Sequence, residues 1–194
     1  MKRLLPLPLP LLLLMLFTAG ARAEPASYVL DPERSFVHWE VLHFGTSTVR
    51  GRFGPVAGEV SLDRSAGRGA VSLRMVTTNI DTGVRPFNSR LREADLLASS
   101  EFPEAYFVAT RFRFEGGKLA EVRGEFTLRG VSQPLSLNAR RFGCRTETER
   151  DGGREICGGD FEASFDRSDF GMTFGLPWIA NRVRLLIQVE GRRS

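Results

Sequence analysis

The residues of this chain whose types could do chemistry are few: His38 and His43, Cys144 and Cys157, Lys118, and the run Arg167-Ser168-Asp169-Phe170-Gly171-Met172. The two histidines have opposite parity on one strand-like segment. Alternate side chains of a strand point to opposite faces, so the pair cannot chelate one metal ion. His43 shares its parity with Trp39 and Val41 and is expected inside, either as a hydrogen-bonded core histidine or as a polar contact to a ligand head group. Lys118 lies in a Glu115-Gly116-Gly117-Lys118 turn, which leaves lysine-based covalent catalysis almost no candidate. No Gly-x-Ser-x-Gly elbow, phosphate loop or zinc motif occurs, so no enzymatic activity, cofactor or metal is expected. Cys144 and Cys157 flank a polar stretch with an Asp151-Gly152-Gly153 turn signal, and are expected to pair across a hairpin in an oxidising compartment. The rival for that pair, a redox or metal site, lacks both Cys-x-x-Cys spacing and a nearby histidine. Asp169 is expected to fix its turn through nearby backbone N–H groups, with Phe170 and Met172 packing at one end of the fold. Trp178, after Pro177, suits either a plug at that end or a contact to a lipid.

Ahead of these residues, positions 1–23 read as a secretory signal peptide. Lys2 and Arg3 precede the apolar run Leu4 to Phe17, and Ala21-Arg22-Ala23 forms a small-x-small cleavage site before Glu24. About 14 apolar residues, broken by Pro6, Pro8 and Pro10, fall short of the roughly 20 that a spanning helix needs. A periplasmic protein of residues 24–194, one domain with no spanning segment after processing, is the expectation. Three of the 27 basic residues leave with the signal, so 24 face 23 acidic ones. A nearly neutral mature chain with interspersed Arg and Glu lacks the clustered basic face that nucleic acid requires.

What must position the inward residues is a set of strands. Eight segments alternate apolar and polar residues between Gly, Asp, Asn, Ser and Pro clusters. The first runs over about 35 to 45, and the second over about 48 to 63 with a break at Gly54-Pro55. A third spans about 69 to 78, with Leu73 among its apolar positions. The fourth, about 104 to 115, groups Tyr106, Val108, Phe112 and Phe114 on one face. The remaining four carry Val122 to Leu128, Leu135 to Ala139, Phe161 to Phe165, and Val183 to Val189. The only stretch with helical spacing is Pro86 to Ala98, between the third and fourth strands, where Phe87, Leu91 and Ala94 recur at steps of four and three. An all-β, eight-stranded antiparallel lipocalin-like barrel with one short helix satisfies this pattern and removes exposed edges. Such a barrel is wide enough to be filled by its own side chains or to hold one small ligand, and the fifteen Phe fit both.

Three segments resemble the YceI-like family of periplasmic polyisoprenoid-binding proteins. They are Tyr28 to Phe53, which includes Tyr28 to Asp31, Phe36 to Phe44 and Ser47 to Phe53; Gly124 to Leu135; and the Arg167 to Met172 loop. The likeness extends from Tyr28 to Gly191. At the helix the chain departs from the family, with Arg90 where the family has a histidine. The resemblance implies a long-chain isoprenoid or related amphiphile, such as a polyprenyl phosphate or a quinone tail, held inside the barrel for carriage or storage. The tail is then expected against Trp39, Val41, Phe53, Leu73, Phe112, Phe126 and Phe165, with Phe170, Met172 and Trp178 at the barrel's end. His43, Arg85 and Arg90 are the expected head-group contacts. The alternative is a ligand-free structural or interaction barrel of the envelope. Oligomeric state is left open, a dimer included.

Overall fold

The computed structural model describes residues 24–148 and 152–194. The expected signal peptide and the expected Asp151 turn signal lie outside the described residues. Ten strands follow in chain order: β1 (Ala26–Leu30), β2 (Phe36–His43), β3 (Ser47–Phe53), β4 (Val56–Asp63), β5 (Arg68–Val76), β6 (Glu104–Glu115), β7 (Lys118–Leu128), β8 (Val131–Thr146), β9 (Glu155–Asp166) and β10 (Ile179–Arg193). One helix, α1 (Arg85–Leu91), lies between β5 and β6.

The ten strands fill eight barrel positions. All pairings are antiparallel, and the sheet closes where β1 meets β10. The long β10 pairs first with β2, from Ile179↔His43 to Gln188↔Phe36, and then with β1, from Leu30↔Gly191 to Tyr28↔Arg193. β1 and β2 therefore share one position. β3 and β4, which pair with β2 and β1 in turn, share the next, joined through the Gly54-Pro55 break. Eight strands were expected and eight positions result; β1 is a ninth segment that the alternation pattern did not single out.

Two expectations fail for identifiable reasons. In β6, Tyr106 and Val108 are exposed, whereas Ala105, Phe107 and Ala109 are buried. The register with β7 shifts between Ala109 and Arg111, so a bulge at Thr110 reverses the parity. Phe112 and Phe114 do face in, but with Phe107 rather than with Tyr106. The helix is also shorter than Pro86 to Ala98. Leu96, Leu97 and Ala98 are consecutive and cannot share one helix face with Phe87 and Leu91. The chain instead turns back, with Leu97 N–H donating to Leu91 O (3.0 Å) and Ser99 N–H to Arg92 O (3.0 Å), and buries Leu97 and Ala98.

Outside the barrel, charges alternate across neighbouring strands. Arg50 of β3, Glu40 of β2, Arg184 of β10, Glu162 of β9 and Arg140 of β8 form one continuous ladder of ion pairs. The hydrogen bond from Arg50 holds the Glu40 carboxyl below the usual carboxylate range, and that from Arg140 does the same for Glu162. Among the described residues, most arginines are thus paired with acidic neighbours, which offsets their charge locally.

Cys144 and Cys157 stand directly opposite each other on β8 and β9 and are bonded. Reduction is expected to lower stability by up to about 3 kcal/mol through the longer unfolded-state loop. It should leave the interior beside α1 unchanged, because the bridge sits at the end of the barrel remote from α1. Thiol counting in denaturant on protein from the host envelope checks the pairing, and two free thiols would contradict it.

Candidate functional site

The barrel interior divides along its axis. At the end carrying α1, the β2–β3 turn and the β9–β10 connection, side chains of the strands and α1 enclose a cavity of about 220 Å3. Its wall is aliphatic and aromatic almost throughout. Trp39, Val41 and His43 of β2, Phe53 of β3, Leu73 of β5, Phe126 of β7, Phe165 of β9 and Met172 all line it. Phe107, Leu135, Leu137, Leu185 and Ile187 complete much of the rest. Trp39 is able to lie flat against the neighbouring strand because position 51 is glycine: a Cβ there would come within 2.5 Å of the indole ring. Among the described residues, the Trp39 indole N–H is buried without a hydrogen-bond partner.

Four of the expected site residues lie elsewhere. Phe112 borders a second, smaller cavity of about 70 Å3 toward the disulfide end. Phe170 is almost completely buried behind the wall, its ring 5.5 Å from Phe126 and 5.1 Å from Phe165, and so supports the lining without forming it. Trp178 is 63% exposed on the rim, held by its carbonyl, which accepts from Phe44 N–H at 2.7 Å. Arg85 at the start of α1 points to solvent. It lies outside the lining because α1 is amphipathic and presents Phe87 and Leu91, not Arg85, to the interior.

The polar side chains that do reach the cavity gather at its outer end. Arg90 grips Asp95 with both terminal nitrogens (2.6 and 2.7 Å), reaches Glu93 at 3.0 Å, and stacks over the Phe174 ring at 4.2 Å. The Asp95 bond raises the Arg90 pKa, so its charge is committed to α1's own neighbourhood. Phe174 is itself partly exposed, and there the cavity meets the surface. His43 pairs in register with Ile179 and packs edge-on to Phe44, ring centroids 4.5 Å apart. His38, by contrast, faces solvent.

Arg167 is a cavity-lining residue that sequence reasoning missed. It is buried and lines the cavity, and its guanidinium donates to three carbonyls: Ala180 at 3.0 Å, Met172 at 2.7 Å and Ile179 at 2.9 Å. Burial pushes its pKa down, yet a guanidinium stays charged. The signal was present, since Phe161, Ala163, Phe165 and Arg167 share one parity. Asp169, singled out instead, is exposed, and the turn is held by Arg167 and by Asn181, which bonds Ser168 N–H at 3.0 Å and Ser168 Oγ at 2.9 Å.

Chemically, this is an apolar chamber whose polar side chains lie at its outer end. Among the described residues the one group of His, Cys, Asp or Glu compact enough for a metal is Cys144, Glu155 and Cys157, and both of its sulfurs are spent in the disulfide. Among the described residues no helix is long and apolar enough to cross a membrane.

Comparison with known proteins agrees with this architecture. The crystal structure of Burkholderia cenocepacia BcnA superimposes with a TM-score of 0.67 at 18% identity, over 83% of this chain and 98% of that one. A Campylobacter jejuni YCEI protein gives 0.68 at 18% identity, over 79% and 90%. A polyisoprenoid binding domain from Saccharophagus degradans, implicated in plant cell wall breakdown, gives 0.62 at 17%, over 87% and 99%. In sequence, Protein YceI of Salmonella arizonae is 31% identical over 178 residues, which span 90% of this chain and 91% of the relative. The YceI-like domain profile matches residues 28–191, essentially the whole described barrel, and the chain belongs to the YceI-like family.

Proposed function

We propose that the barrel binds the apolar chain of an isoprenoid-class lipid, with the tail in the 220 Å3 cavity and the polar head at the rim beside Phe174, Arg90 and His43. It acts as a carrier or store rather than a catalyst. The observation that carries this reading is the cavity itself. An apolar void of roughly 150 Å3 stays dry and takes up an apolar guest such as benzene, and this one is larger. A barrel that existed only as a packed structural element would fill the space with its own fourteen Phe, those from Phe36 to Phe174. The family membership and the neighbour described as a polyisoprenoid binding domain point the same way. An exported protein with a disulfide is suited to the periplasm, where a chain with little solubility in water would need a sleeve.

Native mass spectrometry of protein purified from its host, followed by solvent extraction, tests the proposal. The expected result is a co-purifying apolar lipid. Binding of lipids with one head group and graded tails should strengthen by about 0.8 kcal/mol for each buried CH2, about fourfold in affinity. A bare-chain mass, together with affinity independent of tail length, would remove the proposal.

A further inference from the structure

The two cavities are stacked along one barrel and separated by a belt of four side chains that line both: Leu73 of β5, Phe107 of β6, Leu137 of β8 and Ile187 of β10. The belt draws on four different strands, so it crosses the lumen. Its largest member, Phe107, is buried and leans toward β7, where position 124 is glycine; a Cβ there would sit 2.8 Å from the ring's outer carbon. Below the belt the 70 Å3 cavity is as apolar as the upper one, bordered by Leu62, Phe112, Val122, Phe142 and Phe161. Nothing but hydrocarbon lies between the two.

We propose that this belt is the floor of the lipid site and sets the longest tail the barrel accepts, and that the lower cavity is a latent extension for a longer apolar chain, closed by Phe107. This rests on the reading of the upper cavity as a tail site. Burial of apolar surface scales with the length of chain enclosed, so affinity climbs with tail length while the end of the tail is still above the floor. It stops climbing once the tail end meets Phe107. Interiors are packed too tightly to admit further carbons without displacing side chains. Specificity for chain length then comes from the position of one ring rather than from any head-group contact.

The probes are prenyl alcohols of two, three, four and six isoprene units, titrated into the delipidated mature protein. Wild type should gain affinity up to a plateau length. Phe107→Leu and Leu137→Ala open the belt from different strands, so a folding failure in one leaves the other to report, and native circular dichroism is required of each. In the folded variants the plateau should move to longer chains, with at least about a tenfold gain for the first alcohol beyond the wild-type limit. Val122→Phe, which fills the lower cavity beneath an intact floor, should leave the wild-type ladder as it is and should cancel the gain when combined with Phe107→Leu. An unmoved plateau in folded Phe107→Leu and Leu137→Ala, or a wild-type ladder without a plateau, would overturn the floor while leaving lipid binding intact. Failure of wild type to bind any alcohol would overturn the lipid reading itself, and the floor with it.

Discussion

Arg167→Ala is expected to destabilise the barrel by about 3 kcal/mol or more and to loosen the cavity's outer end. The guanidinium ties together three carbonyls, that of Met172 in the connection between β9 and β10 and those of Ile179 and Ala180 at the start of β10. Deleting it leaves them facing an apolar chamber, and a buried acceptor left without a donor costs roughly 1–3 kcal/mol. The cost is partly offset because a charge buried without a carboxylate partner is removed as well, which is why the expected loss is smaller than three such penalties. Arg167→Lys should recover less than half of it, since a single ammonium cannot reproduce the planar fork that spans the three acceptors. The connection also carries Met172 and Phe174, both in the cavity wall, so retention of a bound lipid should fall with stability. Asp169→Ala, in the same turn but exposed, should change stability by no more than about 0.5 kcal/mol. Urea unfolding followed by circular dichroism decides the matter; equal, small effects at 167 and 169 would show that the loop is held by something other than the guanidinium.

Arg167 also marks where the sequence speaks and where it falls silent. Strand alternation reports which face of a sheet a residue occupies, and it carried Trp39, Val41, His43, Phe53, Leu73, Phe126 and Phe165 to the cavity wall because their segments run without interruption between turn residues. The same rule extends from Phe165 to Arg167, but the acidic neighbour Asp169 drew attention as the group with more familiar chemistry. Alternation says nothing about height along the barrel axis. Phe112 therefore faces in as expected yet lines the lower cavity rather than the upper one. Bulges are the other blind spot. No Gly or Pro beside Thr110 announces the bulge, and Tyr106 and Val108, expected inside with Phe112, face out. On the helix, Phe87, Leu91 and Ala94 have proper spacing, but the contiguous Leu96-Leu97-Ala98 buries itself by leaving the helix, a tertiary demand that local periodicity does not reveal. Trp178 and Arg85 lie on the rim because connections end at the barrel surface, where neither alternation nor composition separates a wall residue from an exposed one.

The bulge can be located by charge. Phe107→Lys and Phe112→Lys are both expected to unfold the barrel or to abolish its cooperative melting, whereas Val108→Lys, one residue from Phe107, should be nearly silent. Phe107 is buried in the belt between the two cavities, with hydrocarbon on every side. An ammonium there finds neither water nor a carboxylate, and an unpaired buried charge costs several kcal/mol beyond the roughly 3–5 kcal/mol of losing a Phe side chain. That approaches the whole stability of a typical domain, about 5–15 kcal/mol. Val108 is about half exposed and stands opposite Glu125 across the β6–β7 pair, so a lysine at 108 gains an oppositely charged neighbour and stability should change by less than about 1 kcal/mol. Positions 107 and 112 have opposite parity in sequence. An unbroken strand would tolerate a lysine at one of them and not at the other, because neighbouring parities point to opposite faces. Intolerance at both, with tolerance at 108, requires one extra residue between them. Thermal melts of the three variants suffice as the measurement: a stable Phe107→Lys beside a collapsed Val108→Lys would place the bulge outside β6 and return Tyr106 and Val108 to the interior.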